Sequence, residues 1–158
     1  MPGIGGMVIR RWAVFALIVF ALNFVWEMTQ GRWFASMQGL PFWYAASLCL
    51  RATIGDLVIT AVAFAVAAAV VKNVIWPVGQ RVMLATTLFF ALGLAITITY
   101  ELFALSAGRW HYGERMPIVF GLGVLPLLQW LVVPAAEVML FRVIWRRRSV
   151  AVPRDASQ

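Results

Sequence analysis

The sequence predicts an all-α, polytopic membrane protein built as a four-transmembrane-helix bundle, and three observations predict it. Of the 158 residues, 63% are hydrophobic and only 12% are charged, where a soluble domain carries about a quarter charged; mean hydropathy is +0.89. Four apolar stretches, at about 12–30, 44–71, 82–106 and 117–141, each reach the roughly 20 residues needed to cross a hydrocarbon core. The segments between them collect Gly, Pro and charged residues, as connectors do. Residues 1–145 therefore read as a single domain, and 146–158 as a basic, disordered tail.

The first helix follows Arg10-Arg11 and lacks a small-residue cleavage site around Asn23-Phe-Val-Trp-Glu, so it reads as a retained span rather than a signal peptide. Asn23, Glu27 and Gln30 fall at i, i+4 and i+7, which makes a polar stripe on one face near its end. On the second helix, the face of Asp56 carries Cys49, Ala52, Thr53, Thr60, Ala63 and Ala67. Small residues mark close approach between membrane helices, which points Asp56 into the bundle. The third helix aligns Thr86, Gly93, Thr97 and Glu101, and the fourth offers Gly121, Pro126, Gln129 and Glu137. Pro126 is expected to open a kink beside a polar group, with Pro134 a second break.

Orientation follows from the basic residues. Arg10, Arg11, Lys72, Arg81, Arg142, Arg146, Arg147, Arg148 and Arg154 fall on one side, and Arg32, Arg51, Arg109 and Arg115 on the other. The excess places both termini in the cytoplasm of a multi-pass cell-membrane protein. The tryptophans then read mostly as interface anchors: Trp33, Trp43 and Trp110 outside, Trp12, Trp76 and Trp145 inside.

Two stretches nearly repeat. Trp26-Glu27 leads to Gly31-Arg32-Trp33, and Tyr100-Glu101 leads to Gly108-Arg109-Trp110. One reading is an internal repeat of two pseudo-symmetric helical hairpins; the other is convergence of interfacial turns on Gly, Arg and Trp. A carboxylate in a bilayer costs about 2.5–3.5 kcal/mol even on insertion scales, so Glu27, Asp56 and Glu101 require partners and are the candidate catalytic residues. By helical rise, Asp56 lies about 18–20 Å below the outer aromatic rim, deeper than Glu27 and Glu101. This staggering predicts a funnel opening outward, lined for substrate by Asn23, Trp26, Gln30, Arg51, Thr60, Thr97, Tyr100, Arg109, His111 and Gln129. Structural pairing of the glutamates with Arg32, Arg51 or Arg109 is the competing reading, and Glu137 is expected to balance Arg142.

Several chemistries are excluded. Cys49 is the lone cysteine, so paired-thiol redox chemistry and intramolecular disulfides are out. With His111 the lone histidine, no Ser-His-Asp set, HExxH motif or phosphate loop exists; an anchoring role for His111 is favoured over a metal site with Glu101 and Glu114. No metal site is indicated, and the sequence leaves any cofactor unidentified. The basic residues are scattered along helix ends, which gives no nucleic-acid surface. The paired aspartates of lipoprotein signal peptidases and the cysteine pairs of disulfide-generating membrane enzymes are absent. A similarity to membrane carotenoid hydratases and cyclases is confined to the spacing Glu101, Gly108, Tyr112, Pro117 and assigns no family.

Three functions stay open. The favoured one is an intramembrane acid–base enzyme of isomerase, cyclase or hydratase type, in which a desolvated carboxyl protonates an isoprenoid- or sterol-like lipid and Trp26 and Tyr100 stabilise a cation. The second is a proton- or cation-coupled transporter, with an oligomer supplying more helices. The third is an accessory subunit of a larger membrane complex. Expected partners are membrane lipid, an apolar small molecule, and a second copy or larger membrane protein. A deep lipid-accessible pocket at Asp56 favours the first, a polar path to both faces the second, and an Asp56 satisfied only by another chain the third.

Overall fold

A computed structural model describes residues 4–146, and the stretch expected to form the tail lies outside them but for its first residue. Four long helices form the protein: α1 (Ile4–Gln30), α2 (Phe42–Val71), α3 (Val82–Ser106) and α4 (Val124–Arg146). Each contains a stretch long and apolar enough to cross a membrane. Neighbours in sequence pack together and α1 closes the ring against α4, so the bundle runs up and down. Four crossings place Ile4 and Arg146 on one side, called here the terminal side. The Gly-Arg-Trp connectors lie on the other, the turn side.

The fourth helix starts later than its apolar pattern suggests. Residues 117–123 form a two-stranded hairpin, β1 (Ile118–Val119) and β2 (Leu122–Gly123), paired antiparallel. Phe120 and Gly121 at its tip both have positive φ, 51° and 80°, the geometry of a two-residue hairpin turn matched to strand twist. Hydropathy alone does not separate this hairpin from helix. The shift also changes the meaning of Pro126. It is the third residue of α4, where a missing N–H removes only a donor that has no partner in the helix, so it does not kink the chain as expected. Pro134 is the interior proline.

The core is aromatic and sits toward the terminal side. Trp76 is fully buried, with its ring 5.3 Å from Phe64 and 5.7 Å from Phe89. A short 3-10 turn, Trp76–Val78, tucks this segment under the bundle, and the Arg142 Nε–H donates to the Pro77 carbonyl at 2.9 Å. Trp76 is thus a core residue and not the interface anchor its position in a connector implied. Trp130 is also buried and packs against Gly93 of α3.

Candidate functional site

The polar stripes of α1, α2 and α4 join in a single network, which the stripe of α3 does not enter. Gln129 of α4 is its hub. Its Nε2 donates to Asp56 Oδ2 at 2.8 Å and to Asn23 Oδ1 at 3.3 Å, while its Oε1 accepts from Gln30 Nε2 at 3.0 Å. Gln30 Nε2 also donates to Glu27 Oε1 at 2.6 Å, and Trp26 Nε1 donates to Gln30 Oε1 at 3.0 Å. Asn23 Nδ2 donates to Glu137 Oε1 at 3.0 Å and to its own helix at Val19 O. Asn23, Gln30, Gln129 and Glu137 are all buried.

Glu27 and Asp56 are joined through Gln30 and Gln129, so two acids expected at different depths share one network. Counting rise along the backbone ignores the tilt of side chains toward the helix N-terminus. Because α1 and α2 run in opposite directions, Glu27 leans toward the terminal side and Asp56 toward the turn side, and the tilts close the offset.

Among the described residues, none of the hydrogen bonds to Glu27, Asp56, Glu101 or Glu137 comes from Lys or Arg; the donors are Gln30, Gln129, Tyr112 and Asn23. The arginine clamps envisaged from sequence are replaced by an amide at Glu27 and a phenol at Glu101. Arg32 lies over the Trp33 ring at 4.3 Å, Arg109 lies over Phe103 at 4.9 Å, and Arg51 is exposed. Glu137 is likewise not Arg142's partner. It is 2% exposed, inside the bundle.

Below the network, a cavity of about 710 Å³ opens between the terminal-side halves of α1 and α2. Its upper walls are Val19, Leu57, Thr60 and Glu137; Trp12, Phe15, Phe64 and Phe141 line its body, and Lys72, Asn73, Val74 and Pro77 flank its far end. Asn23 stands one turn above Val19, and Asp56 one turn above Thr60. A cavity of this size falls within the range of about 300–1,000 Å³ that small-molecule sites occupy. Its lining lies in the terminal-side half of the bundle, away from the turn side where an outward funnel was expected.

Glu101 forms a second, separate polar contact nearer the turn side. The Tyr112 hydroxyl donates to Glu101 Oε2 at 2.5 Å, and Glu101 is 7% exposed. Tyr112 is delivered by pairing of the two similar connectors: Ala35 N–H donates to His111 O at 2.9 Å, and Gly113 N–H to Trp33 O at 2.8 Å, forming an isolated bridge between Phe34 and Tyr112. Burial and the bond to Glu101 raise the Tyr112 phenol above its ordinary value. Tyr112→Phe is expected to destabilise the fold by about 1–3 kcal/mol by leaving Glu101 Oε2 without its donor, as measured by unfolding in bicelles. Because the phenol is raised in the fold, the stabilisation is full below about pH 10 and declines as pH rises beyond it; unfolding the two proteins at pH 7 and pH 11 tests this.

The structure thus brings together Asn23, Trp26, Glu27, Gln30, Asp56 and Gln129, and sets Thr60 on the cavity wall. Glu101 sits apart with Tyr112. Tyr100 is 45% exposed and faces away from the bundle, with its ring 5.7 Å from Trp110, so it does not flank an acid as expected. Arg109 and His111 are exposed on the turn side, while Thr97 is buried on α3 with its hydroxyl unpaired among the described residues. Ala52 is exposed, unlike Cys49, Thr53, Ala63 and Ala67 of the same helix. Sequence reasoning missed Tyr112 as the partner of Glu101 and Glu137 as a site residue. The signal for the second was available, since Gln129 and Glu137 lie eight residues apart on one face of α4. No three His, Cys, Asp or Glu side chains among the described residues are grouped to hold a metal ion. No family model, curated protein or solved structure matches the chain.

Proposed function

We propose that this membrane protein is an intramembrane acid–base enzyme acting on an apolar, isoprenoid- or sterol-like lipid, of isomerase, cyclase or hydratase type. The observation that carries the reading is an apolar cavity of about 710 Å³ directly below the carboxyl and amide network of Glu27, Asp56 and Gln129. An apolar substrate body in the cavity brings its reactive carbons toward these carboxyls. For double-bond isomerisation, a carboxyl O–H in the Asp56–Glu27 pair passes its proton to one alkene carbon, leaving a carboxylate and a carbocation. Loss of a proton from a neighbouring carbon to that carboxylate restores both, so no oxidant or co-reactant is consumed. Trp12, Phe15 and Phe64 line the cavity, and aromatic faces stabilise positive charge.

Two features favour this over the alternatives. A proton or cation pathway would have to continue through the terminal-side half, where Phe15, Val19, Leu57 and Phe64 make the walls apolar. An accessory subunit would leave Asp56 for another chain to satisfy, and Gln129 already bonds it.

The test is mass spectrometry of lipids co-purifying with the wild type and with Asp56→Asn, which preserves shape and removes acidity. The expected result is a specific isoprenoid or sterol lipid with the wild type that is changed in amount or structure with the variant. Identical phospholipid profiles overturn the proposal. With the substrate in hand, Asp56→Asn should lower turnover about 10²–10⁴-fold, the usual contribution of a positioned acid.

A further inference from the structure

Glu137 presents an unusual surplus. It is 2% exposed on α4, its Oε1 accepts from Asn23 at 3.0 Å, and its Oε2 has no hydrogen-bond partner among the described residues. The same side chain lines the upper end of the apolar cavity. A buried polar atom without a partner costs about 1–3 kcal/mol, more for a charged group. That cost is removed when a ligand supplies the missing bond.

We propose that the cavity binds a lipid alcohol, whose hydroxyl pairs with Glu137 Oε2 and whose hydrocarbon body runs toward Lys72 and Pro77. This rests on the lipid-binding reading above and names the polar group of its ligand. A hydroxyl suits the position in either protonation state of Glu137. It donates to a carboxylate and accepts from a carboxylic acid. Being neutral, it enters the membrane interior without the cost of a second buried charge. The walls around Phe15, Phe64 and Phe141 offer hydrocarbon contact alone; at the far end Lys72 is exposed and Asn73 Oδ1 already accepts from the Ile75 N–H, whereas Glu137 Oε2 is buried without a partner among the described residues, so the polar group of the ligand belongs at the Glu137 end. Held there, the hydroxyl lies beside Asn23, through which Glu137 joins the Gln129 hub.

The experiment is photolabelling of the full chain in nanodiscs with two diazirine probes: geranylgeraniol, and the same chain with hydrogen in place of the hydroxyl. The alcohol should label α1 and α2 residues of the cavity about tenfold more efficiently than the hydrocarbon, as one hydrogen bond to a buried group implies. Glu137→Leu should erase the preference and label equally with both probes. Glu137→Gln should retain it, since its amide offers Asn23 an acceptor and the hydroxyl a donor. Equal labelling of the wild type by alcohol and hydrocarbon overturns the hydroxyl assignment but leaves a lipid cavity standing. Cavity labelling by neither probe overturns both. The wild-type comparison decides these outcomes even if a variant fails to fold.

Discussion

Gln129→Leu should destabilise the bundle by about 2–5 kcal/mol and abolish any activity that depends on the Glu27–Asp56 pair. Three bonds are lost at once: those to Asp56 at 2.8 Å and Asn23 at 3.3 Å, and the one accepted from Gln30 at 3.0 Å. Single interhelical hydrogen bonds in membranes contribute about 0.6–2 kcal/mol, because the helices of the unfolded state also find partners in lipid. The larger share comes from what is left behind, since Asp56 then faces the bundle with one fewer donor and no basic residue bonded to it. Unfolding in bicelles measures the first effect, and the lipid profile measures the second. Gln129→Leu with wild-type stability would show that the network bonds are not formed in the membrane.

Gly93→Leu is expected to be the most damaging single change in the packing, with about 3 kcal/mol or more lost. A Cβ at this position would collide with the six-membered ring of Trp130. That ring cannot retreat freely, because Trp130 is 2% exposed and packs 6.1 Å from Phe89. Even alanine should cost about 1–3 kcal/mol by overpacking. The effect is specific to one neighbour, which makes it testable by a double-mutant cycle. Gly93→Ala should be less harmful in a Trp130→Leu background, and strict additivity would mean that α3 and α4 do not meet at this pair. Separation of α3 from α4 would also move Gln129, one residue before Trp130, so stability and lipid retention should fall together in the Gly93 series.

The arrangement explains how a chain with so few polar residues accommodates several acids. Amides, not arginines, bond the inner carboxyls, and amides bring donors without adding charge to the hydrocarbon region. The basic residues are left for the rims, where Arg32 and Arg109 rest on aromatic rings.

How much of this was legible in the sequence differs by feature. The four spans follow from hydropathy and length, since lipid leaves a backbone segment little choice but to satisfy its own hydrogen bonds as helix. The third span, Val82–Ser106, falls where its apolar run does, while the fourth begins at Val124 because the hairpin before it is as apolar as helix. The stripe of Asn23, Glu27 and Gln30 is visible because helical spacing is a local property. Partner choice is different in kind. That Glu27 and Asp56 share a network through Gln30 and Gln129, that Glu137 meets Asn23 across 114 positions, and that Tyr112 reaches Glu101 depend on helix direction, side-chain tilt and pairing of two connectors. The repeated Gly-Arg-Trp segments are visible in the sequence, but the pairing of the connectors that carry them, Ala35 with His111 and Trp33 with Gly113, belongs to the fold. By itself the sequence determined a four-span membrane protein with acidic residues on its apolar helices. The tertiary structure decided which acids share a network, that Trp76 and Trp130 are core, and where the cavity lies, because contacts between helices distant in sequence are set by packing and leave no periodic trace along the chain.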